Sequence, residues 1–202
     1  MRRISIALMI AVLCILSMLV QVVAQENDFS IVLFPDTQSE VAYKHDAWES
    51  MSKWTADNKA NMNIKAVFGL GDVTDSNSRY EYSEAVKGWD IIKNSGIVYV
   101  PIRGNHEITS SRWNQYFGPS YFSGKTWFGG AYKNDTSTYY VKFDSESRKY
   151  LVIALGHNPN NARLAWAQDV INSNNDREVI IVTHSYLGNT RLTCLEQISQ
   201  AE

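Results

Sequence analysis

From Ser30 onward, short apolar runs alternate with longer segments of helical period. Ile31 to Phe34, Lys65 to Phe68 and Ile97 to Val100 have the length and the β-branched or aromatic content of buried strands. Between them, Tyr43 to Lys59 and Tyr80 to Lys93 place apolar residues three and four apart, which predicts helices. Strand, helix, strand, helix, strand argues an α/β fold. Tyr139 to Phe143 and Tyr150 to Leu155 flank the polar segment Asp144 to Lys149, so the second half opens with an antiparallel hairpin. A helix from Asn161 to Ile171 and a buried strand from Val179 to Val182 follow. No internal repeat, low-complexity tract or Pro/Gly-rich linker divides this pattern, so one domain is expected.

The first residues follow a different rule. Arg2 and Arg3 precede an apolar run from Ile4 to Val20, and Val22-Val23-Ala24 offers small residues where a signal peptidase reads. Residues 1–24 are expected to be a signal peptide and 25–202 the mature domain, secreted or extracytoplasmic. The alternative is an uncleaved anchor, for which the run falls just short of the ~20 residues that span a bilayer. Membrane contact is expected through this segment alone. Of the two cysteines, Cys14 lies inside the run and follows Leu13, too large for a lipoprotein-type site, so only Cys194 remains in the mature chain. Without an internal disulfide, stability must come from core burial and bound metal, and Cys194 reads as a small apolar residue.

Composition, at 45% hydrophobic and 20% charged residues, fits one globular domain with a sizeable core, and disorder is not the default expectation. Setting Arg2 and Arg3 aside from the 19 basic residues leaves 17 against 21 acidic ones, a formal charge of −4. No nucleic-acid footprint is present. No protein partner can be inferred. Asn134-Asp135-Thr136 is an acceptor sequon, relevant where exported proteins are glycosylated.

Polar residues stand directly after the apolar strands: Asp36 and Gln38, then Gly71-Asp72, then Gly104-Asn105-His106-Glu107, then His184. In open α/β sheets strand ends of this kind build ligand sites. Taken one at a time, the same residues also serve turns and helix N-caps.

In this order the segments FPDTQ, GLGDVTD, RGNHE and VTHSY resemble the calcineurin-like metallophosphoesterases, whose motifs run D-x-H, G-D-x-x-D, G-N-H-D/E, a lone His after a strand, and finally G-H-x-H. The resemblance spans about Phe29 to Tyr186 and is most specific in GDVTD and RGNHE. It implies a two-sheet mixed β-sandwich flanked by helices. It also implies hydrolysis of a phosphomonoester or phosphodiester by hydroxide activated at a dinuclear metal centre. Asp36 and Gln38 would bind the first metal, Asp72 would bridge, and Asn105 and His184 would bind the second. Gln38 stands where histidine is usual; its amide oxygen can ligate a cation, which leaves Mn, Fe and Zn open as the two divalent or trivalent ions. His106 would face the phosphate-ester substrate as acid or charge stabiliser, with Glu107 orienting its ring or raising its pKa. Asp75 is left out of the metal set, as a support for its loop.

Three features stand apart from the motif series. Gly156-His157-Asn158 has the start of a G-H-x-H but precedes His184, so His157 reads as a loop residue near the site and a substrate contact rather than a displaced ligand. The aromatic series Trp113, Phe117, Tyr121, Phe122, Trp127, Phe128 and Tyr132 reads either as a substrate lid or as core. After VTHSY the sequence has no G-H-x-H, and Thr190 to Ala201 looks like the start of a helix. One more ligand per metal would be expected from that motif. The expectation is an incomplete gene model or fragment lacking its last strands, and the alternative function is a catalytically impaired or inactive exported binding domain. A serine hydrolase is disfavoured because no G-x-S-x-G turn occurs.

Overall fold

The computed structural model describes residues 28–107, 109–145 and 148–185. The signal segment, both cysteines, Tyr186 and the Thr190 to Ala201 segment lie outside them. Among the described residues no helix is long and apolar enough to cross a membrane.

Among the described residues, seven strands form two sheets. In the first, β1 (Ser30–Phe34), β2 (Ile64–Gly69) and β3 (Val98–Val100) lie in that order, all parallel. β2 is central and buried along nearly its whole length, which explains why its sequence runs apolar instead of alternating. Helices α1 (Gln38–Tyr43) and α2 (His45–Asp57) cross from β1 to β2, and α3 (Arg79–Ser95) crosses from β2 to β3. The helix expected from Tyr43 to Lys59 is α2, shorter at both ends, and α1 precedes it across a break at Lys44. α3 starts at a capping box: Ser78 Oγ accepts from Glu81 N, and the Glu81 carboxylate accepts from Ser78 N. It stops at Gly96, whose φ of +74° is left-handed.

α2 and α3 pack through a fully buried tryptophan. Trp48 Nε1 lies 3.2 Å from both Glu84 O and Ala85 O, and a Cβ on Gly88 would meet Trp48 Cε2 at 2.2 Å. Glycine is therefore required inside α3 by the indole, at a helix-propensity cost of about 1 kcal/mol.

The second sheet is β4 (Phe128–Tyr132), β5 (Asp135–Asp144), β6 (Lys149–Leu155) and β7 (Glu178–Thr183) in that order. The first two pairings are antiparallel, and α5 (Asn161–Asn172) carries the chain across so that β7 runs parallel to β6. One sheet is parallel and one mixed, as an α/β two-sheet fold flanked by helices. The larger of two buried clusters joins them: Val67, Phe68 and Val100 from the first sheet cluster with Tyr139, Val141 and Val152 from the second. Tyr139 fastens the two by donating from its hydroxyl to Pro101 O at 2.8 Å.

The aromatic series belongs to this core, which corrects the lid reading. It forms α4 (Ser110–Phe117), a 3₁₀ turn (Pro119–Phe122) and β4, with Trp113, Phe117, Tyr121 and Phe122 buried. Phe122 stacks on Phe128 at 4.6 Å, and Trp127 meets Tyr99 edge-on at 4.8 Å. Tyr132 packs against Trp166 on the outer face.

Candidate metal centre

Every polar residue singled out by position lies at the C-terminal end of a parallel strand. Asp36 and Gln38 follow β1, Asp72 follows β2, Asn105 and His106 follow β3, and His184 follows β7 directly. Two sheets therefore contribute to one mouth.

Glycines let the loops close on one another. A Cβ on Gly71 would lie 2.1 Å from His184 Nδ1, and one on Gly104 would lie 2.1 Å from both Asp72 N and Asp72 Oδ1. Asp72 itself sits at φ +40°, a left-handed conformation costly for a residue with a side chain and common at functional sites.

The donor atoms converge. One ligand atom each from Asp36, Asp72 and His184 lie within 4.8 Å of one another. His184 Nδ1 lies 2.8 Å from Leu70 O, a carbonyl, so Nδ1 carries the hydrogen and Nε2 turns inward. There Nε2 is 2.8 Å from Asn105 Oδ1 and 3.3 Å from Asp72 Oδ2. The other Asp72 oxygen accepts from His106 N at 3.0 Å. Gln38 opens α1, and its Oε1 is buried without a hydrogen-bond partner. Lone pairs gathered in this way, with one amide oxygen left orphaned, fit a bound cation. Charge shows the same need: burial raises the pKa of Asp36, His184 opposes that, and the Asp72 carboxylate adds to it.

Residues 29–199 match the calcineurin-like phosphoesterase family. The chain belongs to this family. The uncharacterised protein YvnB of Bacillus subtilis (strain 168) is 29% identical over 166 residues, which is 79% of this chain and 13% of that protein. The chain thus spans about one eighth of the length of this curated relative. A dimetal phosphatase from Danio rerio shares the fold at a TM-score of 0.50 and 12% identity, over 86% of this chain and 76% of that one. The purple acid phosphatase PPD1 from yellow lupin (Lupinus luteus) seeds aligns at a TM-score of 0.43 and 14% identity, covering 80% and 31%. Family membership implies divalent metal ions and phosphoester hydrolysis as the general chemistry.

Around this site, the residues flanking the candidate ligands have distinct partners. His106 Nδ1 lies 2.5 Å from Asp75 O and 3.6 Å from Asp75 Oδ1. That backbone hydrogen bond raises its pKa; burial opposes it, and the Asp72, Asp75 and Glu107 charges add to it. Asp75 also accepts from the hydroxyl of Tyr43, 3.0 Å away, whose ring is 74% exposed beside the site. The sequence gives no sign of Tyr43: its partner is 32 residues away.

Glu107 departs from the expectation that it orients His106. It is 0% exposed, and its carboxylate accepts from Thr74 N at 2.7 Å, Thr74 Oγ1 at 2.8 Å and Gly104 N at 2.7 Å. It ties the GDVTD loop to the RGNHE loop, and the ring is held by Asp75 instead. Its remaining link to His106 is the last and smallest of the charges just named. His157 lies beside the ligands, its ring centroid 5.7 Å from that of His184. Burial, followed by the nearby His184, lowers its pKa.

Proposed function

We propose that the chain hydrolyses a phosphomonoester or phosphodiester with two bound metal ions. Asp36 and Gln38 would hold one, Asn105 and His184 would hold the other, and Asp72 would be shared between them. The observation that carries this reading is the convergence of Asp36, Asp72 and His184 within 4.8 Å, from strand ends of two different sheets. Bound metal ions supply Lewis acidity toward phosphoryl oxygens and a deprotonated water near neutral pH.

The chain's own groups do the rest. The Asp72 carboxylate offers one oxygen to the site while the other is fixed by His106 N, so it cannot swing away. His106, anchored at Nδ1 by Asp75 O, presents Nε2 to protonate the leaving oxygen, and its raised pKa suits that role. Glu107 keeps the two loops at the spacing that brings Asp72 and Asn105 together.

Metal content and turnover of an aryl phosphate and an aryl diester, measured on the chain and on Asp72→Asn, test the reading. Bound metal and activity in the wild type, both lost in Asp72→Asn, are expected. Turnover that survives Asp72→Asn sinks the bridging assignment, and metal retained by a wild type without turnover favours a binding domain.

A further inference from the structure

The chain has four histidines. His184 and His106 have roles above, and His45 lies on α2. His157 is in ring contact with His184, the planes inclined by 62°.

The loop that carries His157 is closely determined. Gly156 N donates to Ser137 O and His157 N to Arg103 O, each at 2.8 Å. A Cβ on Gly156 would stand 2.8 Å from Ser137 O and 3.2 Å from Arg103 O, so a larger residue would push the loop off both. Asn158 follows with a φ of +52°, and its N–H donates to Ser185 Oγ at 3.2 Å. That oxygen lies 2.6 Å from His157 Nδ1. Since Ser185 directly follows His184, one strand end supplies both a candidate ligand and the anchor of this second ring.

The Ser185–His157 contact accommodates donation from the hydroxyl to the ring. Ser185 Oγ already receives the Asn158 N–H, and a hydroxyl has one hydrogen to donate. Among the described residues, His157 Nδ1 is the ring atom within reach of that hydroxyl, which can give its one hydrogen to Nδ1 when Nδ1 carries none. Donation to Nδ1 places the imidazole hydrogen on Nε2. His157 is also not one of the residues whose donor atoms cluster within 4.8 Å. A ring beside the ligands but outside their cluster, with a hydrogen to give, is placed to bind an oxygen of whatever the ligands hold.

We propose that His157 contacts the substrate, donating from Nε2–H to a non-bridging phosphoryl oxygen, and that Ser185 is the positioning residue that fixes its tautomer. The inference rests on the phosphoesterase reading above and deepens it, because it names the group that grips the phosphoryl end independently of the leaving group. It applies equally to monoesters and diesters, since both carry a non-bridging oxygen.

Two measurements test it. The first is ¹⁵N-histidine NMR of the full chain without metal. A His157 pattern with hydrogen on Nε2 is expected, shifting toward a tautomer mixture in Ser185→Ala; hydrogen on Nδ1 in the wild type overturns the proposal.

The second is inorganic phosphate affinity of the metal-loaded chain by calorimetry, with metal stoichiometry read on the same samples. His157→Ala is expected to weaken phosphate about tenfold, the loss of one good hydrogen bond, at unchanged metal stoichiometry. His157→Gln, whose amide N–H can replace Nε2–H, retains most of the affinity. Ser185→Ala has a smaller effect and adds nothing on top of His157→Ala, because Ser185 acts through that ring. With substrate, KM rises more than kcat falls. Unchanged phosphate affinity in His157→Ala overturns the proposal, as does loss of metal, which would make His157 a ligand. If the wild type binds metal and phosphate and Asp72→Asn loses both, a null result at His157 overturns this inference alone. A wild type that binds neither overturns the underlying reading and this inference with it.

Discussion

Glu107 accepts two backbone N–H groups and one hydroxyl in a pocket closed to water, while its neighbour His106 is part-exposed and makes a single ring contact with a carbonyl. Removing the Glu107 carboxylate strands Thr74 N, Thr74 Oγ1 and Gly104 N, and each buried orphan costs about 1–3 kcal/mol. Glu107→Ala is therefore expected to lose about 3–5 kcal/mol of unfolding free energy, near the upper end for a single substitution. His106→Ala is expected to stay within about 1 kcal/mol of wild type and to lose turnover instead. Urea titrations of both variants beside their turnover with an aryl phosphate separate the two. A Glu107→Ala protein as stable as wild type would return Glu107 to the catalytic group. GNHE marks both residues as important, but a linear motif does not say which side chain stays part-exposed and which is buried against backbone N–H groups. That distinction depends on a contact 33 residues away in sequence.

Among elements, Asp135 at the start of β5 is the tie that gathers α4, β5 and α5. Asn114 Nδ2, Ser137 N and Ser137 Oγ donate to its Oδ1 at 2.9, 2.9 and 2.7 Å, and Arg163 Nη2 to its Oδ2 at 2.6 Å. Burial pushes its pKa up, but these hydrogen bonds outweigh that and hold it at about 2 against an ordinary 3.8. A carboxyl with a depressed folded pKa adds stability that is complete above its unfolded value and disappears as pH falls through the folded one. The wild type is thus expected to lose this contribution between about pH 4 and pH 2. Asp135→Asn should be less stable at pH 6 and show a flatter acid limb in that window. Thermal melts at a series of pH values check it, and an unchanged limb in Asp135→Asn removes the tie. Elements with their own periodicity, such as β2, α3, β6 and α5, were legible in sequence to within a few residues. β4 was not, because Gly129 and Gly130 carry no side chain to continue its strand pattern; there a Cβ on Gly129 would stand 1.9 Å from Tyr140 Cε2, so the glycine makes room for a ring on β5. α1 was missed because only Val41 of its six residues is buried and Thr37 makes no side-chain cap. The candidate positions stood out because each follows an apolar strand, with Gly71 and Gly104 directly before Asp72 and Asn105. Asp75 and Tyr43, which set His106, meet only when α1 and the loop after β2 fold together.

For the whole molecule, the donor set joins the two sheets at the mouth they share: Asp36 and Asp72 extend from the first and His184 from the second. Without a cation, burial first and the Asp72 carboxylate after it raise the pKa of Asp36 against the opposing pull of His184, and the Gln38 oxygen has no partner. Unfolding scatters these groups, so a cation that binds the folded arrangement stabilises the domain by mass action. At a free concentration 100 times the Kd that linkage is about 2.7 kcal/mol. For a domain of this size each kcal/mol moves the midpoint by about 2–4 °C, so an upward shift of about 5–10 °C is expected on adding Mn²⁺ or Zn²⁺, reversed by a chelator. Asp72→Asn should melt at the same temperature with and without metal, because the carboxylate facing both sides of the site is gone. His157→Ala should retain the shift, as its ring lies outside the donor cluster. Calorimetric melts of the three proteins, each with metal and with chelator, decide the matter. Equal metal-induced shifts in wild type and Asp72→Asn would mean that the cation binds elsewhere and that the strand-end cluster does not hold the sheets together.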